Sequence, residues 1–141
     1  MMKINSFLLV ILVLILTGCK KEDKTMMAGT ITFSFIPEPG NFYVFLDDDL
    51  DISNGYVIRL VATSDGPISN LEYNFDTENI PAGSYYLRGG YDKLSEGTPD
   101  PEDPSSWEGA GWYGSSSFTP PSSPNITRLY GTYDFVIYEA P

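Results

Sequence analysis

Four aspartates within five residues form the first candidate cation site of the chain. The sequence at 47–51 is Asp-Asp-Asp-Leu-Asp, directly after the apolar run from Phe42 to Leu46. Ca²⁺-binding loops supply carboxylate oxygens from alternate positions that converge on one ion. The spacing of Asp47, Asp49 and Asp51 therefore predicts a Ca²⁺ site, and an acidic turn solvated by water is the alternative. No other cofactor is expected.

Aromatic residues in and beside a long proline-rich loop form a second candidate site. They are Tyr91, Trp107, Trp112, Tyr113 and Tyr130. Sugars stack their apolar faces on exposed aromatic rings while neighbouring acids bond the hydroxyls, so this set is typical of a glycan-binding surface. The alternative is that Trp112 and Tyr113 close one end of the fold, as buried aromatic rings often do.

The composition excludes several kinds of chemistry. The 141 residues include no His and one Cys, and 19 Asp+Glu against 8 Lys+Arg give a net charge of −11. Imidazole-based catalysis, His-ligated zinc and an intrachain disulfide are therefore excluded. Binding to nucleic acid is not expected, because its phosphates require Lys and Arg. Two carboxylates can still hydrolyse a glycoside, but the presence of acidic residues alone is weak evidence for that activity. We therefore expect a protein that is not an enzyme.

The N-terminal segment predicts export. Lys3 precedes an uncharged apolar run from Phe7 to Leu16, which is too short to span a bilayer and has the length of the apolar part of a signal peptide. The residues Leu16-Thr17-Gly18-Cys19 resemble the lipobox of bacterial lipoproteins. This resemblance implies a signal peptide at 1–18, cut before Cys19, and lipidation of Cys19 by acyl chains such as palmitate. The alternative is a chance cysteine behind an ordinary signal or an anchor helix.

A charged tether at 19–28 is predicted to connect Cys19 to the folded domain. Residues 20–28 span at most about 30 Å when extended, so the domain is expected close to the bilayer. Aspartate directly after the lipidated cysteine retains many such lipoproteins in the inner membrane, and Lys20 at that position implies the outer membrane of the cell envelope. Residues 29–141 contain 4 basic and 17 acidic residues, a net charge of −13, so anionic headgroups are expected to repel the domain.

The remainder of the chain, 29–141, is predicted to be one all-β domain. Apolar residues alternate at period two between Gly, Pro, Asn and Asp residues, and no segment keeps a helical period. The segments predicted as strands are 30–35, 42–46, 56–62, 71–75, 85–87, 115–119 and 132–139. About seven strands at this spacing are typical of an antiparallel β-sandwich. The stretch from Asp92 to Gly114 is predicted to be an irregular loop, either functional or a mobile insertion.

Part of this strand pattern resembles a known family. Tyr73-x-Phe75 followed by Ile80-Pro81-Ala82-Gly83-Ser84-Tyr85-x-Leu87 is similar to the signature of transthyretin-like domains, also called carboxypeptidase regulatory-like domains. The opening Gly29-Thr30-Ile31 is similar to their first strand. The resemblance implies a β-sandwich and no particular activity. From the long loop of similar lipoproteins it also implies a Ca²⁺ ligand at Asp92, although Lys93 beside it opposes a cation.

The sequence as a whole predicts a membrane-anchored lipoprotein of the cell envelope that acts as a non-catalytic binding or structural module. The loop from Asp92 to Gly114 and its aromatic residues are the expected contact surface. The expected partners are the membrane, through the lipid anchor, and a glycan or an envelope protein. The alternatives are a calcium-stabilised module, a glycan-binding module and, less favoured, a carboxylate-dependent glycoside hydrolase.

Overall fold

The computed structural model describes residues 24–94, 100–101 and 103–141. The predicted signal peptide, Cys19 and the tether up to residue 23 lie outside these residues. Within the described ranges the chain forms eight strands and two short 3₁₀ helices: β1 Met26–Phe33, β2 Gly40–Asp47, β3 Ile58–Ser64, β4 Asn70–Asp76, β5 Tyr86–Lys93, β6 Gly109–Trp112, β7 Gly131–Thr132 and β8 Phe135–Glu139, with the helices at Ile52–Asn54 and Pro104–Ser106. The predicted all-β class is confirmed. The described residues contain no helix that is long and apolar enough to cross a membrane.

One curled, mixed sheet contains the eight strands. Its order is β3-β2-β5-β6-β8-β1-β4, and β7 also pairs with β1. Strand β1 pairs in parallel with β7 and β8, whereas the other neighbours are antiparallel. The prediction that the strands are purely antiparallel is therefore wrong. Strands β1 and β8 are about 100 residues apart in the chain, so no tight hairpin requires them to run antiparallel.

Strand β8 joins the two halves of the sheet. Its first residues pair with β1, with Phe135 opposite Ile31, and its last residues pair with β6, with Tyr138 opposite Ala110. At the changeover, a Cβ added to Gly111 would lie 1.8 Å from the carbonyl oxygen of Val136. A residue without a Cβ is required for so close an approach of two backbones. Glycine at 111 therefore allows β8 to pass from one half of the sheet to the other.

The curl of the sheet encloses a main core, to which both halves contribute. Its buried side chains from the strands are Met27, Ile31, Phe42, Val44, Leu46, Tyr73, Phe75, Leu87, Tyr91, Phe135 and Ile137. Removal of this apolar surface from water is the principal force that holds the two halves together. Strand β2 is buried on both faces, as its continuous apolar run predicts. Its second face belongs to a smaller set, here called the outer cluster, which consists of Tyr43, Phe45, Ile52, Trp107 and Ala110.

Two segments differ from the predicted strands. Residues 115–119 form a turn in which the Ser115 hydroxyl donates to the carbonyls of Ser117 and Thr119, an alternative to the ladder bonds of a sheet. Conversely, β6 lies within the stretch that was predicted to be a loop, and its Gly-Ala-Gly-Trp sequence has little strand preference. The ladders to β5 and β8 on either side impose its extended conformation.

Candidate functional site

The outer face of β2, β5 and β6 carries a predicted cation ligand and the two tryptophans. Side chains alternate between the faces of a strand, so Tyr43, Phe45 and Asp47 of β2 share this face. The pairing places Arg88 of β5 opposite Phe45 on one side and opposite Trp112 of β6 on the other. An arginine therefore stands among aromatic side chains near the buried acid at the end of β2.

The guanidinium of Arg88 lies between two indole rings, an arrangement here called the tryptophan cage. The Cζ of Arg88 is 4.7 Å from the ring centroid of Trp107 and 4.5 Å from that of Trp112. Burial lowers the pKa of Arg88 to about 10, and the charge of Asp47 acts in the opposite direction. Its Nε is buried and has no hydrogen-bond partner among the described residues. Arg88 is therefore a cation at neutral pH whose charge is stabilised by the rings.

The loop ahead of Trp107 determines where its ring lies. The Asp103 side chain caps the 3₁₀ helix at Pro104–Ser106, and Trp107 follows directly. Its indole is nearly parallel to the ring of Phe45, with 5.7 Å between the ring centroids. The indole Nε1 donates to the carbonyl oxygen of Asp100 at 3.1 Å. With 4% of its surface exposed, Trp107 closes the outer cluster.

Asp47 is almost completely buried at the end of β2, with 3% of its surface exposed. Its Oδ1 accepts a long hydrogen bond of 3.4 Å from the backbone N–H of Asp49, and its Oδ2 has no partner among the described residues. A carboxyl group in such a place favours its neutral form, because the charged form loses hydration. Burial accordingly raises the pKa of Asp47 from 3.8 to about 6, against the opposing effect of the Asp49 N–H.

The acidic turn arranges its carboxylates differently from the predicted alternation. The Asp51 side chain caps the 3₁₀ helix at Ile52–Asn54 and accepts from the backbone N–H and hydroxyl of Ser53, which lowers the pKa of Asp51. One carboxylate oxygen from each of Asp47, Asp48 and Asp49 lies within 4.8 Å of the other two. The clustered acids are therefore consecutive, and Asp51 is not among them because its carboxylate is directed into the cap.

Asp92 lies far from this turn. The pairing of β2 with β5 places Asp47 opposite Tyr86 and Asn41 opposite Asp92, so the two acids are about 20 Å apart along the strands. Asp92 is buried, and its Oδ2 accepts the backbone N–H of Asp100 at 3.2 Å. Asp47 and Asp92 are therefore too far apart to share an ion, and Asp92 instead binds the backbone of Asp100, within the long loop, to the end of β5. Glu96 and Glu102 of that loop lie outside the described residues.

The predicted aromatic set is mostly internal. The exposed fraction is 0% for Tyr91, 4% for Trp107 and 5% for Trp112. Tyr91 belongs to the main core, and Tyr113 packs edge-on against Tyr133. Sugar stacking requires an exposed ring face, so these rings do not offer the surface that the predicted glycan platform needs. Their apolar area is instead buried against the protein itself.

Sequence patterns did not single out Arg88, although one local signal was available. Arg88 is followed by Gly89 and Gly90 on a strand that is otherwise rich in large residues. A Cβ added to Gly90 would lie 2.3 Å from the ring of Trp107. A glycine pair inside a strand often marks the place where another group crosses closely over the backbone, and here that group is the indole beside the guanidinium.

A cleft of about 350 Å³ lies at the end of β5 that carries Asp92. Its inner wall includes Tyr91 and Trp107, and its rim carries Glu38, Lys93, Glu108 and Glu139. The ammonium of Lys93 is 3.6 Å from a carboxylate oxygen of Glu38, and its backbone N–H donates to Glu108 at 2.6 Å. Acids outnumber cations at this rim, so the cleft suits a ligand with hydroxyl or positively charged groups.

The raised pKa of Asp47 predicts how stability depends on pH. Between about pH 4 and pH 6 the folded state binds more protons than the unfolded state, so the free energy of unfolding falls as the pH rises through this window. Asp47→Asn should therefore be more stable than the natural protein at pH 7.5, by about 1–2 kcal/mol after allowance for solvent at the neighbouring turn. The difference should vanish below about pH 4. Urea unfolding of both proteins at several pH values, in the presence of EDTA, measures this difference in the free energy of unfolding.

Asp51→Asn is the matched control for this measurement. Because the pKa of Asp51 is lowered in the folded state, its charge is stabilising, and its removal should act in the opposite direction at pH 7.5. Asp48, Asp49 and Arg88 are unchanged in both variants. A loss of stability in Asp47→Asn at pH 7.5 would contradict the prediction.

The site thus combines three clustered carboxylates with a fixed positive charge beside them. Carboxylate oxygens at this separation suit a hard cation, whereas the tryptophan cage keeps Arg88 in one position. The chain matches no protein-family model, no curated protein and no solved structure.

Proposed function

We propose that the protein is a lipid-anchored lipoprotein of the bacterial cell envelope, and that its β-domain is a non-catalytic binding or structural module. The observation that carries the proposal is the sequence Leu16-Thr17-Gly18-Cys19 behind the apolar run that begins at Phe7. A single cysteine in an exported chain requires an explanation, and lipidation supplies one. Several acyl chains on Cys19 would hold the chain durably to a membrane, and Lys20 favours the outer membrane.

The first described residues, Lys24 and Thr25, support the proposal that the tether joins the domain at one end. The carbonyl of Thr25 accepts from the N–H of Thr77 at 2.7 Å, so the tether is bound where β4 ends. Lys24 and Arg128 both approach the ring of Tyr130, at 5.7 and 4.9 Å from its centroid. Two cations therefore meet where the tether enters a domain that is otherwise acidic. Anionic headgroups attract such cations, and we propose that this end faces the bilayer.

The proposed contact surface lies at the other end of the domain. Strands β1 and β8 run in parallel away from the tether, and β8 ends at Glu139 on the rim of the 350 Å³ cleft. Ile36, which is 82% exposed, lines this cleft and a neighbouring groove with Phe33, Phe35, Pro67 and Ile68. An exposed apolar side chain beside two concavities is typical of a surface that contacts a partner. A glycan or an envelope protein is the proposed partner.

We also propose a transthyretin-like relationship for the fold, on the residues that carry the sequence resemblance. Tyr73, Phe75, Tyr85 and Leu87 are buried, as core residues of that signature are expected to be. The hydroxyl of Tyr85 donates to the carbonyl of Pro81 at 2.6 Å and so closes the turn between β4 and β5. The relationship concerns fold alone and implies no activity.

Cys19→Ala is expected to abolish lipid anchoring. In cells supplied with radiolabelled palmitate, the natural protein should be labelled and found in the membrane fraction, because several acyl chains bind durably. The variant should carry no label and should keep the size of the precursor. It should also lose the membrane attachment that the acyl chains provide. Labelling, gel mobility and extraction of membranes with carbonate and with detergent measure the three effects.

Asp23→Asn is a suitable control, because it changes the tether without changing the cysteine. It should be labelled and processed as the natural protein is. A Cys19→Ala chain that is still cleaved to the mature size, or still labelled, would refute the lipoprotein proposal.

A further inference from the structure

The three acids at the end of β2 form a compact set of oxygen ligands. One carboxylate oxygen from each of Asp47, Asp48 and Asp49 lies within 4.8 Å of the other two. Ca²⁺ binds oxygen at about 2.3–2.6 Å, so two ligands on opposite sides of the ion are at most about 5 Å apart. One ion can therefore contact all three oxygens without a large movement of the turn.

Acidic clusters alone are common on protein surfaces, and the second observation concerns Asp47. Its side chain is 3% exposed, and its Oδ2 has no hydrogen-bond partner among the described residues. Its carboxylate also contributes one of the three clustered oxygens. A buried carboxylate with an oxygen that lacks a partner is costly unless something binds it, and a cation bound to this carboxylate together with Asp48 and Asp49 would offset that cost.

From this geometry we propose that Asp47, Asp48 and Asp49 bind a calcium ion. The proposal concerns the folded domain and is independent of the lipid anchor. It replaces the alternating ligand set that the sequence suggested, because Asp51 caps the following 3₁₀ helix.

The surrounding hydrogen bonds hold Asp49 in position while they leave room for a metal bond. Its Oδ1 accepts from the N–H of Asp51 at 2.7 Å, and its Oδ2 accepts from the side-chain amide of Asn54 at 2.8 Å. Each carboxylate oxygen has two lone pairs, so each keeps one for a cation. Asp48 is exposed and can turn towards the ion.

The charges at the site balance with a divalent ion. Three carboxylates and the nearby guanidinium of Arg88 sum to −2, which Ca²⁺ neutralises. The positive charge of Arg88 repels a cation, but the guanidinium is kept against the rings of Trp107 and Trp112. Three consecutive carboxylates do not supply the regular octahedron that Mg²⁺ requires, whereas Ca²⁺ accepts irregular geometry and additional water ligands. Calcium is therefore preferred.

The test uses the full chain in detergent micelles, with Ca²⁺ alone as the probe. Extracellular calcium modules bind with Kd values of about 10⁻⁴–10⁻³ M, so titration to about 10 mM CaCl₂ is sufficient. At about ten times the Kd the midpoint of thermal unfolding should rise by roughly 5 °C, and MgCl₂ at the same ionic strength should raise it by much less. Isothermal titration calorimetry measures the binding directly.

Variants separate the proposed site from general effects of charge. Asp47→Asn and Asp48→Asn should each weaken Ca²⁺ binding at least about tenfold, because each removes one charged ligand. Asp51→Asn, which preserves the cap, should bind Ca²⁺ as the natural protein does. Asp48 is exposed, so its variant tests the site even if Asp47→Asn does not fold. The absence of any Ca²⁺-dependent shift, or equal weakening in Asp48→Asn and Asp51→Asn, would overturn the proposal.

Discussion

Trp107→Ala is expected to lower the free energy of unfolding by about 3–5 kcal/mol, the usual cost of removing a buried tryptophan. The ring is 4% exposed and stacks on Phe45. Its loss would open the outer cluster to water, leave the guanidinium of Arg88 with one ring instead of two, and remove the hydrogen bond to the carbonyl of Asp100. Urea unfolding followed by far-UV circular dichroism measures the change.

Trp107→Phe is the matched comparison, because it keeps an aromatic ring over Phe45 and removes only the indole N–H and part of the apolar area. It should cost about 1–2 kcal/mol. An alanine variant that unfolds at the same urea concentration as the natural protein would show that the ring is not part of the packed interior.

This expectation changes how binding experiments on the tryptophans should be interpreted. A ligand that no longer binds to Trp107→Ala has not thereby been shown to contact the indole, since the variant loses a large part of the stability of a small domain. Substitution of Ile36, which lines the cleft and is 82% exposed, separates contact from folding.

Gly111→Ala is expected to cost about 3 kcal/mol, at the upper end of the usual range for overpacking. The added Cβ would lie 1.8 Å from the carbonyl oxygen of Val136 and 2.9 Å from the Cα of Ile137. These are backbone atoms, which cannot move aside as a flexible side chain can. The variant should therefore loosen β8 from β6, with a lower midpoint of urea unfolding and faster exchange of the amide hydrogens of β8.

Gly66→Ala is the control for this substitution, because an added Cβ at Gly66 meets nothing within 4 Å. It should change the free energy of unfolding by no more than about 0.5 kcal/mol. Equal stability of the two alanine variants would contradict the close approach of β6 and β8.

The strands with local signals were predictable from sequence. The continuous apolar run from Phe42 to Leu46 indicated a strand buried on both faces, and β2 has the main core on one side and the outer cluster on the other. Alternation at Tyr73 and Phe75 indicated the inner face of β4. In each case the pattern of apolar side chains within the strand itself indicates which faces of the strand are buried.

Strand β6 and the parallel pairing of β8 carried no such signal. The sequence Gly109-Ala110-Gly111-Trp112 is glycine-rich, and glycines in a loop and glycines that permit close backbone contact have the same local appearance. The pairing of Ile31 with Phe135 joins residues that are far apart in the chain. Short-range periodicity contains no information on which distant strands pair or in which direction.

The acidic turn was located from sequence, whereas the arrangement of its carboxylates was not. Alternation at 47, 49 and 51 assumes that the chain remains extended after β2, but it turns after Asp47 and Asp51 begins a 3₁₀ helix. The capping preference of aspartate before a helical turn was the competing signal. The tryptophan cage depends on contacts between β5, β6 and the loop before Trp107, and it becomes visible only once these elements are paired.

The position of β8 also has a consequence for when folding can finish. The main core is closed only when β8 lies between β1 and β6. Contacts between residues so distant in sequence form only after a long loop has closed, and the entropy lost in that closure slows folding. Until residues 135–139 have arrived, the apolar faces of β1 and β6 are unprotected. In the lipoprotein proposed above, acylation of Cys19 would not have to wait for β8, because the two lie at opposite ends of the chain.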